Sequence, residues 1–531
     1  MKFGILNDVL GRWEGLPHIK LPAACVADET VWMAYRDGAM RRIPGRKATF
    51  LSSGAPVQTP DANPILHWHY HRKTNDDEYV FAFTKDHAYR WNPGTSEWVL
   101  AWTCSASCAH WSTANFGPYV VAVNGVDKVL KWLDTAPTDP FSVLGDPTNG
   151  LDIGDSNWCV CANYIIEAEN YLILFGTTDA GVAKLNRRRW CSWGDLTDWD
   201  SSSSKTGDAG FNDLEANNVI TGAGLYSVGG ATRVITSTHK LIDMMWLTED
   251  VTVWNSETII KGVGGASAAA VVAEPSGNLS FLATDRTIRQ LFASGPLSAP
   301  IAATLRNMPA DKMAQACAVY VPDLDQLWWS VPGHADSTGN DLVVMFDRAT
   351  GAWNIAPMDV RAFGFYRTQS AYTIDTIPFP TIDTIAWPSI DYAGGGAGHP
   401  LLLASDHAGY GHSCLSDMQD KGEPYTGSLV LATTLAERGA RVTDFKRLHG
   451  MWLFLAPGTS SEEVGASIRS DRQASYRFLK SVPLTPDGDP REIVRWIPFD
   501  ARARHLCLKV QSASPFAVIG VVFDFDYDGD R

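Results

Sequence analysis

The sequence predicts an all-β protein: a β-propeller of six to eight blades followed by a C-terminal β-sandwich. Three observations lead there. Short apolar runs alternate with tight polar turns along most of the chain, as in Tyr79-Val80-Phe81-Ala82-Phe83, then Thr84-Lys85-Asp86-His87, then Ala88-Tyr89-Arg90-Trp91. Aspartate-bearing turns at 86, 179, 285 and 406, with others between, return at roughly 40–75 residues, near the period of a blade plus insertions. No long stretch carries a helical spacing of apolar residues. The 20 Trp, 45 Gly and 29 Pro of this 531-residue chain fit many short strands and turns.

Residues 1–60 read as a loop-rich segment that docks on or closes the propeller. Within it, Asp37-Gly38-Ala39-Met40-Arg41-Arg42-Ile43-Pro44-Gly45 has a turn, a short strand and a Pro-Gly turn. Residues 61–420 are expected to hold the propeller. Besides the run at 79–91, its strand-turn units are Tyr119–Val123 with Asn124-Gly125, Tyr171–Phe175 with Gly176–Asp179, Val234-Ile235 with Thr236–His239, Leu279–Leu282 with Ala283–Arg286, Gln326–Val331 with Pro332-Gly333, and Leu401–Leu403 with Ala404–His407. Buried inner strands of a blade read as apolar runs of this kind. An insertion near 368–399 nearly repeats Thr373-Ile374-Asp375-Thr376-Ile377 as Thr381-Ile382-Asp383-Thr384-Ile385, and its prolines exclude a central strand. It reads as an extended arm or a long loop. Residues 421–531 read as a separate sandwich domain, with alternation clear at Gly450–Leu455 and His505–Val510.

One stretch has no simple period: Asn186-Arg187-Arg188-Arg189-Trp190-Cys191-Ser192-Trp193-Gly194-Asp195-Leu196-Thr197-Asp198-Trp199. It reads as a long ordered loop, with Gly194-Asp195 and Thr197-Asp198 as turns. Arg189 is expected to pair two-pronged with Asp195 or Asp198.

This stretch resembles a segment of the form N-R-x-R-W-S-D-x-G-D-x-x-D-W found in β-propeller tail hub or nozzle proteins of tailed bacteriophages, the packaged-DNA stabilisation proteins of short-tailed phages. Asn186, Arg187, Arg189, Trp190, Gly194, Asp195, Asp198 and Trp199 match that form, while Cys191 and Ser192 depart from its Ser-Asp pair. The flanks match in order: Asn218–Gly222, Ile260–Gly264, Gly277–Phe281, Tyr320–Pro322 before Trp328-Trp329, and Leu342–Asp347 before Gly351–Trp353. Arg41, Pro44 and Gly45 fit a G-x-x-x-R-x-P-G element seen near the start of many phage tail proteins.

The resemblance implies a structural virion protein of the tail, made and assembled in the host bacterial cytoplasm. It implies a homo-oligomer, most often a hexamer, around a DNA channel. Expected partners are adaptor or portal-side tail proteins and tail fibre or spike proteins. Double-stranded DNA would pass through without specific binding, and the chain would not insert in a membrane. Such a protein retains packaged DNA until ejection and is not an enzyme.

Bulk charge agrees with a wall that DNA does not grip. The net charge is −15 and the isoelectric point about 5.3, whereas phosphate-backbone binding needs clustered Lys and Arg. No secretory signal and no membrane-spanning apolar run is read from the chain. The nine cysteines, irregularly spaced, are expected to be reduced and buried.

The remaining candidates are weighed by geometry. His67, His69 and His71 alternate, so on a strand they share a face and could bind Zn or Ni. One strand spaces them by about 6.5–7 Å, awkward for a closed site. Asp524–Gly529 begins like a calcium loop, yet the sequence stops at Arg531, before the acidic twelfth position. Ser405-Asp406-His407-Ala408-Gly409 resembles a structural turn of sialidase-type propellers, without its Thr-Trp ending. No catalytic residue, metal site or cofactor is therefore assigned. The alternative function is a carbohydrate-binding or carbohydrate-degrading propeller acting in receptor recognition, with tryptophans stacking on sugars.

Overall fold

In the computed structural model the described residues are 2–5, 11–12, 25–27, 29–36, 39–73, 77–202, 207–215, 217–248, 253–366, 401–433, 445–457, 462–470, 473, 475–485 and 492–527. The insertion at 368–399 lies outside them.

The structure is nearly all antiparallel β, and seven blades of three to five strands form a closed ring. Blade 1 holds His67–Arg72, Glu78–Phe83, His87–Asn92 and Glu97–Thr103; blade 2 holds Ser112–Phe116, Tyr119–Val123, Leu130–Leu133 and Ser142–Val143. Blade 3 has five strands, Leu151–Gly154, Asn157–Ala168, Tyr171–Asp179, Val182–Trp190 and Gly210–Asp213. Blade 4 runs Ile220–Val228, Ala231–Thr238, Leu241–Leu247 and Trp254–Lys261. Blade 5 is short: Val271–Ala273, Leu279–Leu282 and Ile288–Gln290. Blade 6 is Cys317–Val321, Gln326–Val331, Leu342–Asp347 and Trp353–Ala356. Blade 7 is Ala362–Tyr366, Leu401–Ser405 and Gly411–Asp417, completed by Gly45–Ala48 from near the start of the chain. An inner strand of each blade packs on one of the next, and Ala362–Tyr366 meets His67–Arg72 to close the ring. Seven blades fall within the six to eight expected.

The second strand of a blade is sandwiched on both faces, and composition follows. Gln326–Val331 is buried throughout, and Tyr171–Asp179 nearly so. Apolar cores lie between neighbouring blades, for example Phe81, Phe83, Trp111 and Trp132 between blades 1 and 2. The hairpin predicted at Gly176–Asp179 turns later, at Ala180-Gly181, because Asp179 still pairs with Val182.

The C-terminal sandwich packs one sheet, Lys446–Leu455, Ile493–Ala503 and Ala517–Tyr527, against a second, Gly427–Thr433, Glu463–Ser470, Arg477–Pro483 and Leu506–Ser512. Met33–Arg36, Ala39–Arg42 and Lys2–Ile5 join the first sheet. Short strands Gly11–Arg12 and Cys25–Val26 link the second sheet to Trp353–Ala356 of blade 6. One continuous hydrogen-bonded sheet thus couples propeller and sandwich. Arg46 ties blade 7 to the segments on either side of it: its guanidinium, 1% exposed, meets Asp359 at 2.6 Å and Asp420 at 2.7 Å. The described helices are short, and none is long and apolar enough to cross a membrane.

Candidate functional site

The stretch singled out by sequence sits on the outer side of blade 3. Asn186–Trp190 is not loop but the end of the strand Val182–Trp190, bonded to Tyr171–Asp179 on one side and Gly210–Asp213 on the other. Polar residues on both neighbouring strands let three consecutive arginines occupy it. Alternation sends Arg187 and Arg189 to one face and Arg188 to the other.

Arg187 grips Asp213 two-pronged, at 2.6 and 2.7 Å, and reaches Asp179 Oδ2 at 3.0 Å. Arg189 donates to the same Asp179 oxygen at 2.8 and 3.3 Å and to Ser201 at 3.2 Å. The expected partners Asp195 and Asp198 are therefore not those of Arg189. The strand carries Arg189 back along the hairpin to Asp179, while the two acids lie in the loop beyond. Burial would raise the Asp179 carboxyl, but Arg189 and Arg187 hold it below its ordinary value. Phe211, 45% exposed, lies under both guanidinium groups, 4.0 Å from Arg187 and 5.1 Å from Arg189.

On the opposite face Arg188, fully buried, donates to Asp243 of blade 4 at 2.5 Å, to Asn212 at 3.1 Å and to Ser256 at 2.9 Å. Burial pulls the Arg188 guanidinium below its ordinary value, against the pull of Asp243.

The rest of the stretch is a loop that closes on itself. Asp195 accepts from the backbone N–H and hydroxyl of Thr197 at 2.8 and 2.7 Å. Asp198 accepts from the Ser192 hydroxyl at 2.7 Å. Gly194 sits at φ +69°, a conformation that favours glycine. Trp199 is 1% exposed, with Nε1 donating to Leu196 O at 2.7 Å, and Trp190 Nε1 donates to Asp208 O at 3.0 Å. Asn186 exchanges two bonds with Leu214. Cys191 is buried and its thiol pushed up to about 12, chiefly by burial. Trp193 alone of the three tryptophans is exposed, at 61%.

Beside the arginines opens a cleft of about 340 Å³, lined among others by Arg187, Arg189, Asp179, Lys184, Asn157 and Phe211. Its arginine forks are already occupied by carboxylates, so the walls offer hydroxyl, amide and one lysine ammonium rather than a phosphate cradle. Asp179, Asp213, Asp243 and Phe211 are the partners that sequence reasoning missed. Nothing in the local spacing points to them, since each lies on another strand.

His67, His69 and His71 do share a face, and it meets blade 2. Thr113 bonds His67 at 2.7 Å and His69 at 2.8 Å; Asn115 bonds His69 at 2.9 Å and His71 at 2.8 Å; Asp134 takes His71 at 3.2 Å. The imidazoles form a hydrogen-bonded ladder between blades. Burial lowers His67 to about 4 and His69 to about 3, so both are neutral near pH 7. Among the described residues no group of three or more His, Cys, Asp or Glu is placed to hold a metal.

Ser405 ends the strand Leu401–Ser405, and Asp406–Gly409 make the turn after it, with polar atoms spent on the fold. The Ser405 hydroxyl donates to Ile65 O, and Asp406 accepts from the N–H of Ala408 and Tyr410 and from His412. Eight of the nine cysteines, all but Cys25, are free thiols, with Cys104 and Cys161 only partly buried. Asp524–Tyr527 continues a sandwich strand.

No family model matches the chain, and no curated protein matches it. Among solved structures, the crystal structure of the computationally designed Ika8 protein aligns with 12% identity and a TM-score of 0.37, over 77% of this chain and 99% of that one.

Proposed function

We propose that this chain is a structural protein of a phage tail: a propeller hub or nozzle, assembled as a homo-oligomer, most often six subunits, around the DNA channel. It retains packaged DNA, joins adaptor or portal-side proteins, and docks fibres or spikes. It performs no catalysis and takes no cofactor. The observation that carries the reading is the segment Asn186–Trp199 with its flanks in matching order, within a propeller that a sandwich follows.

The charge distribution supports it. Residues 1–420 carry 29 Lys and Arg against 45 Asp and Glu, whereas residues 421–531 carry 15 against 14. The negative charge therefore belongs to the propeller side, and several such propellers around a channel would repel DNA rather than hold it. Arg187 and Arg189 of blade 3 fit the same picture, since their guanidinium groups are already engaged by Asp179 and Asp213.

Electron microscopy of the purified protein, and labelling of the particle with an antibody to it, tests the reading. A closed ring located at the tail is expected. A monomer that is absent from virions would overturn it. Release of reducing sugar from host capsule or lipopolysaccharide, lost on changing one carboxylate, would favour the carbohydrate reading instead.

A further inference from the structure

Blades 1 and 2 are joined by the segment that runs from Glu97–Thr103, the outer strand of blade 1, to Ser112–Phe116, the first strand of blade 2. Cys104 and Cys108 open and close its first stretch, Cys104-Ser105-Ala106-Ser107-Cys108. The proposed function leaves both thiols unused.

The stretch folds back on the turn Thr84–His87 of blade 1. The Cys104 N–H donates to Asp86 O at 2.9 Å and the Cys108 N–H to Lys85 O at 2.8 Å, so both cysteines rest on neighbouring carbonyls. Between them the Ser105 N–H donates to Asp127 at 2.9 Å and the Ser107 hydroxyl to Asp86. With its polar groups spent in this way, the stretch curls and carries both cysteine side chains into the apolar cluster of Phe83, Trp111 and Phe141. There the two thiols adjoin, each within hydrogen-bonding reach of the other. The Cys104 thiol also accepts from the Asn124 amide at 3.8 Å, and the Cys108 thiol donates to Thr84 O at 3.8 Å.

Cys159 and Cys161, the other close pair, differ. They lie on one extended strand, and the Cys159 thiol, fully buried, turns to Cys161 O at 3.7 Å. Cys191, Cys317, Cys414 and Cys507 are buried too. Cys104 is partly exposed whereas Cys108 is 6% exposed, so a small reagent reaches Cys104 first. Hydrogen bonding to Cys108, burial and the Asp127 carboxylate hold the Cys104 thiol above its ordinary value. Because the thiolate is the attacking form, its reaction is slow near pH 7 and quickens as pH rises.

We propose that Cys104 and Cys108 are a site of reversible disulfide formation, closing the joint between blades 1 and 2 when the chain meets a small-molecule disulfide such as oxidised glutathione. Cys104, having lost its proton, attacks one sulfur of the small disulfide; that S–S bond breaks, and one small thiolate leaves and takes up a proton. Cys108 then loses its proton and attacks the Cys104 sulfur of the mixed disulfide, and the second small thiol leaves. Two protein thiols are oxidised to one disulfide, and one small disulfide is reduced to two thiols. The inference stands apart from the tail reading, since it asks only for oxidising surroundings.

Equilibration of the full chain with mixtures of reduced and oxidised glutathione at mildly alkaline pH tests it, followed by alkylation, tryptic digestion and mass spectrometry. The tryptic peptide Trp91–Lys128 holds both cysteines and no other. It is expected to become lighter by two hydrogens and closed to alkylation, and to reopen with dithiothreitol. The folded chain should favour the closed form at least about tenfold more than the same chain in urea, equal to about 30 mV in reduction potential. Cys108→Ser should stop at a mixed disulfide of Cys104 with glutathione, and Cys104→Ser should leave Cys108 unmodified while the chain is folded. A peptide that stays reduced in the folded chain, a mixed disulfide that persists on Cys104 in the unsubstituted chain, or a closed form no more favoured by the folded chain than in urea would overturn the proposal.

Discussion

The guanidinium of Arg188 donates to the carboxylate of Asp243 at 2.5 Å, across the joint between blades 3 and 4, with both side chains buried. Removing one partner strands the other charge in the protein interior. Arg188→Met is therefore expected to cost about 3–5 kcal/mol, and Asp243→Leu a similar amount. The double variant should lose much less than the sum. Urea denaturation of the four proteins checks this, and additive losses would show that the two side chains do not act as a pair.

The histidine ladder between blades 1 and 2 makes acid a stress. His67 and His69 have folded values of about 4 and 3, below the ordinary 6.5. The unfolded chain thus binds more protons between those values. Their stabilising effect is whole above pH 6.5 and is lost as pH falls towards 4. Melting temperatures between pH 7.5 and 4.5 should fall, and fall less for His67→Gln with His69→Gln. Equal slopes in the two proteins would remove the ladder from the explanation.

Two glycines with similar dihedrals should respond differently to alanine. Gly194, φ +69°, has open space where a Cβ would go, so Gly194→Ala should cost only about 1 kcal/mol of backbone strain. Gly277, φ +79°, would place a Cβ 1.5 Å from Ser227 O. Gly277→Ala must displace that backbone, and a loss several times larger is expected in thermal or urea unfolding. Comparable small losses would mean that this turn of blade 5 gives way freely.

Duplex DNA is expected to bind the isolated protein weakly, if the propeller side faces a channel. At physiological salt, screening over about 8 Å confines repulsion to the near wall, and Arg187 and Arg189 of blade 3 are already engaged by carboxylates. Fluorescence anisotropy with a labelled duplex from 50 to 300 mM salt checks this. Tight binding that weakens steeply with salt would contradict it. In an assembled ring, the lumen residues should be mostly acidic.

The class of fold was legible because burial on both faces demands apolar strands, and tight turns demand Gly, Asp and Asn. The strands at Tyr79–Phe83, Leu279–Leu282 and Gln326–Val331 announce themselves in this way. Asp195 and Thr197 were readable as turn chemistry because that chemistry is local. The strand under Arg187–Arg189 was not, since three arginines in a row carry no apolar alternation. Their partners Asp179, Asp213 and Asp243 come from three other strands, and long-range charge pairing leaves no periodic mark.

By itself, then, the sequence determined the alternation of strand and turn, the order of propeller and sandwich, and the negative balance of the propeller side. Only the tertiary structure decided that the blades number seven, because the last is completed by Gly45–Ala48, more than 300 residues away in sequence. It alone turned His67, His69 and His71 towards Thr113 and Asn115, and laid the buried Arg42 over the Tyr425 ring. Local preferences are written residue by residue. Which side chains meet across a joint depends on how blades close around the ring, and no short window of sequence contains that.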